Sequence, residues 1–184
     1  MIVRNKIKVA FFTDILIKDF DGAIKTMYQL IERIPEDRFE YVFFCGTPPK
    51  HDFKYKVVKA PSVIIPFNIS YKIALPDLQK KKLLDELENF APDVIHISTP
   101  SFLGFHALHY AQRKGIPVLS IYHTHFISYI KYYFKRIPFL IKPIEKVISS
   151  LYRKFYNNCN IVYVPTRYMI NELVENSGVD SKNL

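Results

Sequence analysis

The sequence predicts an α/β protein built on an open parallel sheet with helices on both faces. Three observations carry this. Short apolar runs alternate with amphipathic stretches of helical length along the chain. The first apolar run is continuous and bounded by charges, as in a strand buried on both faces. Proline or glycine stands at most of the junctions between segments. Strands that alternate with helices of this length pack as a parallel sheet covered on both sides.

The elements follow in order. Lys6 to Thr13 (KIKVAFFT) reads as a buried strand that ends at Asp14. Gly22 opens a helix whose apolar face holds Ile24, Met27, Ile31 and Ile34, and Pro35 stops it. Phe39 to Cys45 is the second strand, ended by Gly46 and Pro48-Pro49. Val57-Val58 and Val63 to Ile65 are short strands, limited to edges or loops by Pro61 and Pro66. Pro76 suits a first helical turn, followed by a Leu84, Leu87, Ala91 stripe beside Lys80-Lys81-Lys82 and closed by Pro92. Asp93 to Ser98 is a strand. Leu103, Ala107, Leu108 and Ala111 mark the next helix, with Gly115 at its carboxyl cap. Pro117 to Tyr122 is a strand with His123 and Thr124 at its end. The aromatic and basic stretch beyond it reads as two helical pieces, jointed between Pro138 and Pro143. Ile161 to Val164 is the last strand, and a helix from Arg167 to Asn176 ends at Gly178.

A length of 184 residues suits one domain, read as 1–184. The apolar fraction of 49% allows a sizeable core and argues against disorder. Fifteen Phe and thirteen Tyr supply much of that core. No apolar stretch is long enough to span a bilayer. Met1 to Lys8 is too polar for a signal peptide, so the expected compartment is the cytosol. Cys45 and Cys159 lie far apart beside apolar segments and read as small buried hydrophobes. The net charge of +9 points to phosphate-bearing partners, or to solubility alone.

Open parallel sheets bind ligands beyond the carboxyl ends of their strands. The residues there are Asp14 and the loop to Gly22, Cys45-Gly46, Ser98-Thr99, His123-Thr124-His125 and Thr166. Gly22 at a helix start is either a turn residue or a contact for phosphate on backbone N–H groups. There is no G-x-G-x-x-G, so a dinucleotide fingerprint is absent. His123 follows a buried strand, which holds it rigidly; it serves as a sugar, carbonyl or phosphate contact or as a structural histidine. No Cys or carboxylate cluster completes a metal site around His123 and His125. His96 reads as a core or edge residue. No nucleophile elbow supports a hydrolase. From Tyr129 to Lys154, Lys131, Lys135, Arg136, Lys142, Lys146, Arg153 and Lys154 stand against one acid, Glu145, with aromatics interleaved. This pattern is that of a membrane-surface segment or of a solvated helix face, ahead of a nucleic-acid surface.

Three segments, DVIHISTP (93–100), GIPVLSIYHTHFISYIKYY (115–133) and NIVYVPTRYMINEL (160–173), resemble the Rossmann-like amino-terminal domain of retaining GT-B glycosyltransferases of family 4. FFTD (11–14) and Gly22 resemble that domain's first strand and loop. YHTHF, Tyr129, Tyr133 and Lys142-Pro143 are most similar to the branch holding sulfolipid synthase and diacylglycerol glycosyltransferases.

The resemblance implies transfer of a hexose from a nucleotide sugar to an acceptor, with retention and without a metal ion or other cofactor. A membrane lipid is the expected acceptor; a soluble or polysaccharide acceptor, or a non-catalytic binding module, is the alternative. The nucleotide sugar would bind mainly to a carboxyl-terminal domain absent from this chain, so the chain alone is expected to be inactive. His123 would contact the transferring sugar or the acceptor. Asp14, Thr124 and Tyr129 would shape the acceptor pocket. Gly22 and Ala23 would approach the donor diphosphate, and Thr166 would lie at the interdomain edge. Lys131, Lys135 and Arg136 would meet an anionic membrane surface, placing the protein in the cytoplasm or at the inner face of a membrane. No nucleic-acid partner is expected. One departure is that Gly22 is followed by Ala23, where these enzymes often carry two adjacent glycines.

Overall fold

The computed structural model describes residues 6–65, 68–122 and 134–184. The chain forms two compact units, Met1–Val118 and Leu119–Leu184.

The first unit opens with β1 (Ile7–Ile15), α1 (Gly22–Glu32) and β2 (Phe39–Thr47). β1 pairs in parallel with β2 from Ile7 opposite Phe39 to Ile15 opposite Thr47. Alternate residues face opposite sides of a strand. Phe11, Ile15, Phe43 and Cys45 therefore share one face, and Ile24, Met27, Tyr28 and Ile31 of α1 pack on it. Ile34 joins the same cluster just beyond the helix end. On the other face Phe12 and Phe44 stack with ring centres 4.6 Å apart. The expected helix face is thus the buried one. The expected strand is too short: β1 runs on to Ile15, which places Asp14 inside the pairing rather than beyond it.

β3 (Lys56–Lys59) pairs in parallel with β2. β4 (Ser62–Ile65) and β5 (Asn68–Ala74) then form a separate antiparallel hairpin. β5 is not legible in the sequence, where only β3 and β4 read as strands. A 3-10 turn at Pro76–Gln79 leads into α2 (Lys80–Phe90). Its buried residues are Leu83 and Leu87 rather than the expected Leu84, Leu87 and Ala91 stripe. Ala91 instead caps the helix in the left-handed region at φ 49°. β6 (Val94–Ile97) pairs in parallel with β1, and α3 (Phe102–Lys114) buries Leu103, Ala107, Leu108 and Ala111 as expected. Gly115 ends α3 at φ 68°, a conformation that favours glycine.

The second unit contains the parallel pair β7 (Val118–Ile121) and β8 (Ile161–Tyr163), and the helices α4 (Ile141–Tyr156) and α5 (Arg167–Ser177). Tyr122, Tyr152 and Tyr156 form an aromatic cluster with ring centres 5.6–5.8 Å apart. α4 follows a 3-10 turn at Pro138–Leu140, with Pro143 in its first turn. Gly178 caps α5 at φ 65°. The six strands stand in the order β3-β2-β1-β6-β7-β8. This is the expected open parallel sheet. Among the described residues no helix is long and apolar enough to cross a membrane.

Candidate functional site

At the carboxyl ends of β1, β2 and β6, one side chain organises the first unit. Asp14 accepts through Oδ1 from the Ala74 N–H at 3.2 Å and through Oδ2 from the Thr99 hydroxyl at 3.0 Å. The Ser101 hydroxyl also bonds to its carboxylate. Burial of the carboxyl pushes its pKa above the usual carboxylate range, and these three bonds only partly oppose that. Asp14 thus ties the end of β1 to the end of β5 and to the β6–α3 turn, while standing at the rim where ligands bind such sheets.

The turn it grips is tightly built. Ser101 caps α3 by accepting from the Gly104 N–H at 3.2 Å. A Cβ on Gly104 would lie 2.2 Å from the Thr99 carbonyl oxygen, so only glycine lets α3 approach the turn. Gly46, at the end of β2, has a similar role. Its added Cβ would meet the Ala74 Cβ at 2.9 Å and the Asp14 carbonyl oxygen at 3.1 Å. It lets the hairpin lie close over the rim.

Gly22 differs from both. It begins α1 at an exposed position, and a Cβ there would meet nothing within 4 Å. Packing within the chain does not require this glycine. The helix start is prepared by Asp21, whose Oδ1 accepts from the Ile24 N–H at 2.8 Å and whose Oδ2 accepts from the Tyr71 hydroxyl at 2.7 Å. The amides of Gly22 and Ala23 make no hydrogen bond within the described residues. Sequence reasoning misses Asp21, although an Asp directly before a helical stretch is a recognisable cap signal.

Thr166 lies beyond β8 and caps α5, its hydroxyl accepting from the Met169 N–H at 3.3 Å. Lys135 and Arg136 are exposed ahead of the Pro138–Leu140 turn. His123, Thr124, His125, Tyr129 and Lys131 lie outside the described residues. His96 is buried, with its ring centre 4.3 Å from that of Phe11, as a core histidine should be. Cys45 and Cys159 are buried free thiols, and desolvation pushes each up to about 12, which keeps them protonated and inert. Among the described residues no group of His, Cys, Asp or Glu is placed to hold a metal ion.

Solved structures share this architecture. A UDP-GlcNAc 2-epimerase from Methanocaldococcus jannaschii aligns with 96% of the chain at a TM-score of 0.50 and 14% identity. A putative UDP-N-acetylglucosamine 2-epimerase from Listeria monocytogenes aligns with 98% at a TM-score of 0.52 and 16% identity. Each match spans 44% of the longer chain, and at such identity the likeness concerns the fold alone. Among curated proteins, sulfoquinovosyl transferase SQD2 of Arabidopsis thaliana is 27% identical over 147 residues, covering 73% of this chain and 27% of its own length. A GDP-mannose-dependent alpha-mannosyltransferase of Mycobacterium tuberculosis is 26% identical over 125 residues, covering 64% and 32%. The alpha-monoglucosyldiacylglycerol synthase of Acholeplasma laidlawii is 22% identical over 170 residues, covering 91% and 42%. The chain therefore spans less than half the length of these relatives. Residues 20–184 match the family described as Glycosyltransferase Family 4, which takes in α1, both hairpin strands and everything beyond them. The chain belongs to Glycosyltransferase Family 4.

Proposed function

We propose that this chain is the acceptor-side half of a retaining hexosyltransferase that moves a sugar from a nucleotide sugar to a membrane lipid. The observation that carries the lipid side is the exposed face of α4. Pro143, Val147 and Leu151 recur there at helical spacing, and Val147 and Leu151 keep 60% and 42% of their surface exposed. Lys142, Lys146, Arg153 and Lys154 flank them, exposed. An apolar stripe between cations suits the boundary between headgroups and acyl chains, where lysines extend toward lipid phosphates. Lys135 and Arg136, exposed ahead of the Pro138–Leu140 turn, add to the basic character of this segment, and Lys131 is proposed to act with them. One relative supports the same acceptor class by name, the alpha-monoglucosyldiacylglycerol synthase of Acholeplasma laidlawii.

In this reading the donor binds mainly to a second domain, and its diphosphate approaches the start of α1. The amides of Gly22 and Ala23 and the positive end of the helix dipole favour negative charge there. His123 meets the transferring sugar or the acceptor hydroxyl, and Thr124 and Tyr129 shape the acceptor pocket. Asp14 contributes by holding the rim in shape, and through any carboxylate lone pair not used by Ala74, Thr99 and Ser101. Thr166 stands at the edge toward the donor domain. The reaction runs without a metal ion at the cytoplasmic face of a membrane.

The test uses the protein that carries this chain together with its donor-binding half. It is offered a labelled nucleotide sugar with diacylglycerol in anionic vesicles, and separately with soluble sugar acceptors. Label in the vesicle lipid, lowered by Lys135→Glu with Arg136→Glu, is the expected result. Label in soluble acceptors alone, with no dependence on vesicles or salt, would replace the lipid by a soluble acceptor.

A further inference from the structure

The β4–β5 hairpin carries a surface that neither the sheet nor the helices use. Its base is fixed. Ser62 Oγ donates to the Gly46 carbonyl at 3.1 Å, the Ala74 N–H to Asp14 at 3.2 Å, and the Tyr71 hydroxyl to Asp21 at 2.7 Å. The Leu75 N–H donates to the Pro61 carbonyl at 2.7 Å, which closes the base from outside. Tyr71 also meets Phe20 edge-on at 4.9 Å between ring centres. Beyond this base β4 carries two apolar side chains that nothing among the described residues covers. Val63 keeps 49% and Ile64 54% of its surface exposed.

Adjacent residues of a strand point to opposite faces. Val63 pairs across with Ile73, and Ile64 with Lys72. Both faces of the ribbon therefore present a branched apolar side chain to the outside. A rigid protein groove would cover one face and leave the other wet. A fluid acyl layer surrounds both. The charge around the ribbon fits the second case. Between residues 50 and 75 the chain has the lysines Lys50, Lys54, Lys56, Lys59 and Lys72 against the single acid Asp52. Lys54 and Lys56 are paired with Glu36 and Glu86. Lys59 and Lys72 are exposed, with no acidic partner among the described residues.

We infer that the β4–β5 hairpin is a membrane wedge: Val63 and Ile64 enter the outer acyl region of an anionic bilayer, and Lys59 and Lys72 meet its headgroups. The depth is limited by the backbone. A two-stranded ribbon has two edges of unpaired N–H and C=O groups, which hydrocarbon cannot satisfy. The wedge therefore stops at the boundary between headgroups and chains. Because its base is bonded to Asp14, Gly46 and Asp21, docking at the bilayer acts directly on the rim where the acceptor is proposed to bind. The inference extends the lipid-acceptor reading and shares its premise that the protein works at a bilayer.

The chain has no tryptophan, so a single introduced indole reports its own surroundings. Ile64→Trp places it on the wedge. Leu30→Trp, at an exposed position eight residues along α1 from Gly22, is the control. Both are mixed with vesicles of equal phosphatidylglycerol and phosphatidylcholine whose chains are brominated near the headgroup or near the chain end. The expected result is a blue shift of Ile64→Trp emission and quenching by the shallow bromines, with Leu30→Trp unchanged. Val63→Asp with Ile64→Asp should lower vesicle affinity about tenfold or more. Emission from Ile64→Trp that is identical with and without saturating vesicles would overturn the inference. So would a blue shift without vesicles that grows with protein concentration, since the ribbon would then pair with a second copy. The acceptor reading fails separately. Quenching at Ile64→Trp with sugar transferred only to soluble acceptors sinks that reading and keeps the wedge; labelled lipid without quenching does the reverse.

Discussion

Replacing Gly104 by alanine sets two opposing effects against each other. Alanine is a better helix residue, and in an unconstrained helix interior the change stabilises by about 0.8–1 kcal/mol. In this chain the new Cβ would lie 2.2 Å from the Thr99 carbonyl oxygen and 3.0 Å from Ile97 Cγ2. The oxygen belongs to the backbone, so no side-chain rotation relieves the contact; α3 or the 98–101 turn must move by about 1 Å. Overpacking of this kind costs about 1–3 kcal/mol, and backbone displacement puts the cost at the upper end. The displaced turn also carries the Thr99 hydroxyl that donates to Asp14 at 3.0 Å, and a weakened bond there costs about 1 kcal/mol more. The net is a loss of about 2–3 kcal/mol. For a chain of this size that lowers the melting temperature by roughly 4–12 °C. Thermal unfolding followed by circular dichroism reads it directly. A Gly104→Ala protein that melts at or above the wild-type temperature would refute the reasoning, because helix propensity would then have outweighed the contact.

Gly22→Ala makes the opposite case. Nothing lies within 4 Å of the added carbon, so stability should stay within about 0.5 kcal/mol of wild type while turnover by the full transferase falls several-fold. Unchanged turnover would make Gly22 a plain turn residue. Asp14→Asn tests the buried carboxyl. A carboxyl whose folded pKa is raised favours folding when protonated, and that contribution is lost as the pH rises from the ordinary 3.8 through the folded value. At neutral pH burial of the Asp14 carboxyl therefore costs stability. The Asp14→Asn protein should have the higher denaturant midpoint near pH 7, and its advantage should shrink as the pH is lowered toward 4. A variant less stable at pH 7, by a margin that does not change with pH, would show that the hydrogen bonds outweigh burial.

The local signals in the sequence are reliable where one residue type answers one backbone demand. Gly115 and Gly178 stand at helix ends with φ of 68° and 65°, and both ends are legible from the glycines. The α1 face is legible because its apolar spacing is regular and Pro35 follows. In α2 the apolar residues are few and set among charges, so the stripe reads one residue out of place and Leu83 escapes it. β5 is hidden because its residues Ser70, Tyr71 and Lys72 interrupt any apolar run. A ribbon exposed on both faces has no need of one. Among the candidate residues the legible part is position: in the first unit Asp14 lies one residue from the end of β1 and Gly22 at the start of α1, and in the second unit Thr166 caps α5. The illegible part is partnership. Asp14 bonds to Ala74, sixty residues away, and to Thr99, eighty-five residues away, and no local pattern carries such pairings. Gly46 and Gly104 read as turn and helix residues, and only the packed structure shows that each makes room for a neighbouring backbone.

The central claim is that the protein transfers a sugar to a membrane lipid, and His123 tests it most directly. The measurement is turnover and melting temperature together, for wild type and His123→Ala, in the protein that carries this chain with its donor-binding half, using labelled nucleotide sugar and lipid vesicles. The account predicts labelled lipid from wild type and, in the variant, a turnover loss of about a hundredfold or more with the melting temperature unchanged. Equal losses of turnover and stability, or wild-type protein that leaves the lipid unlabelled, would contradict it.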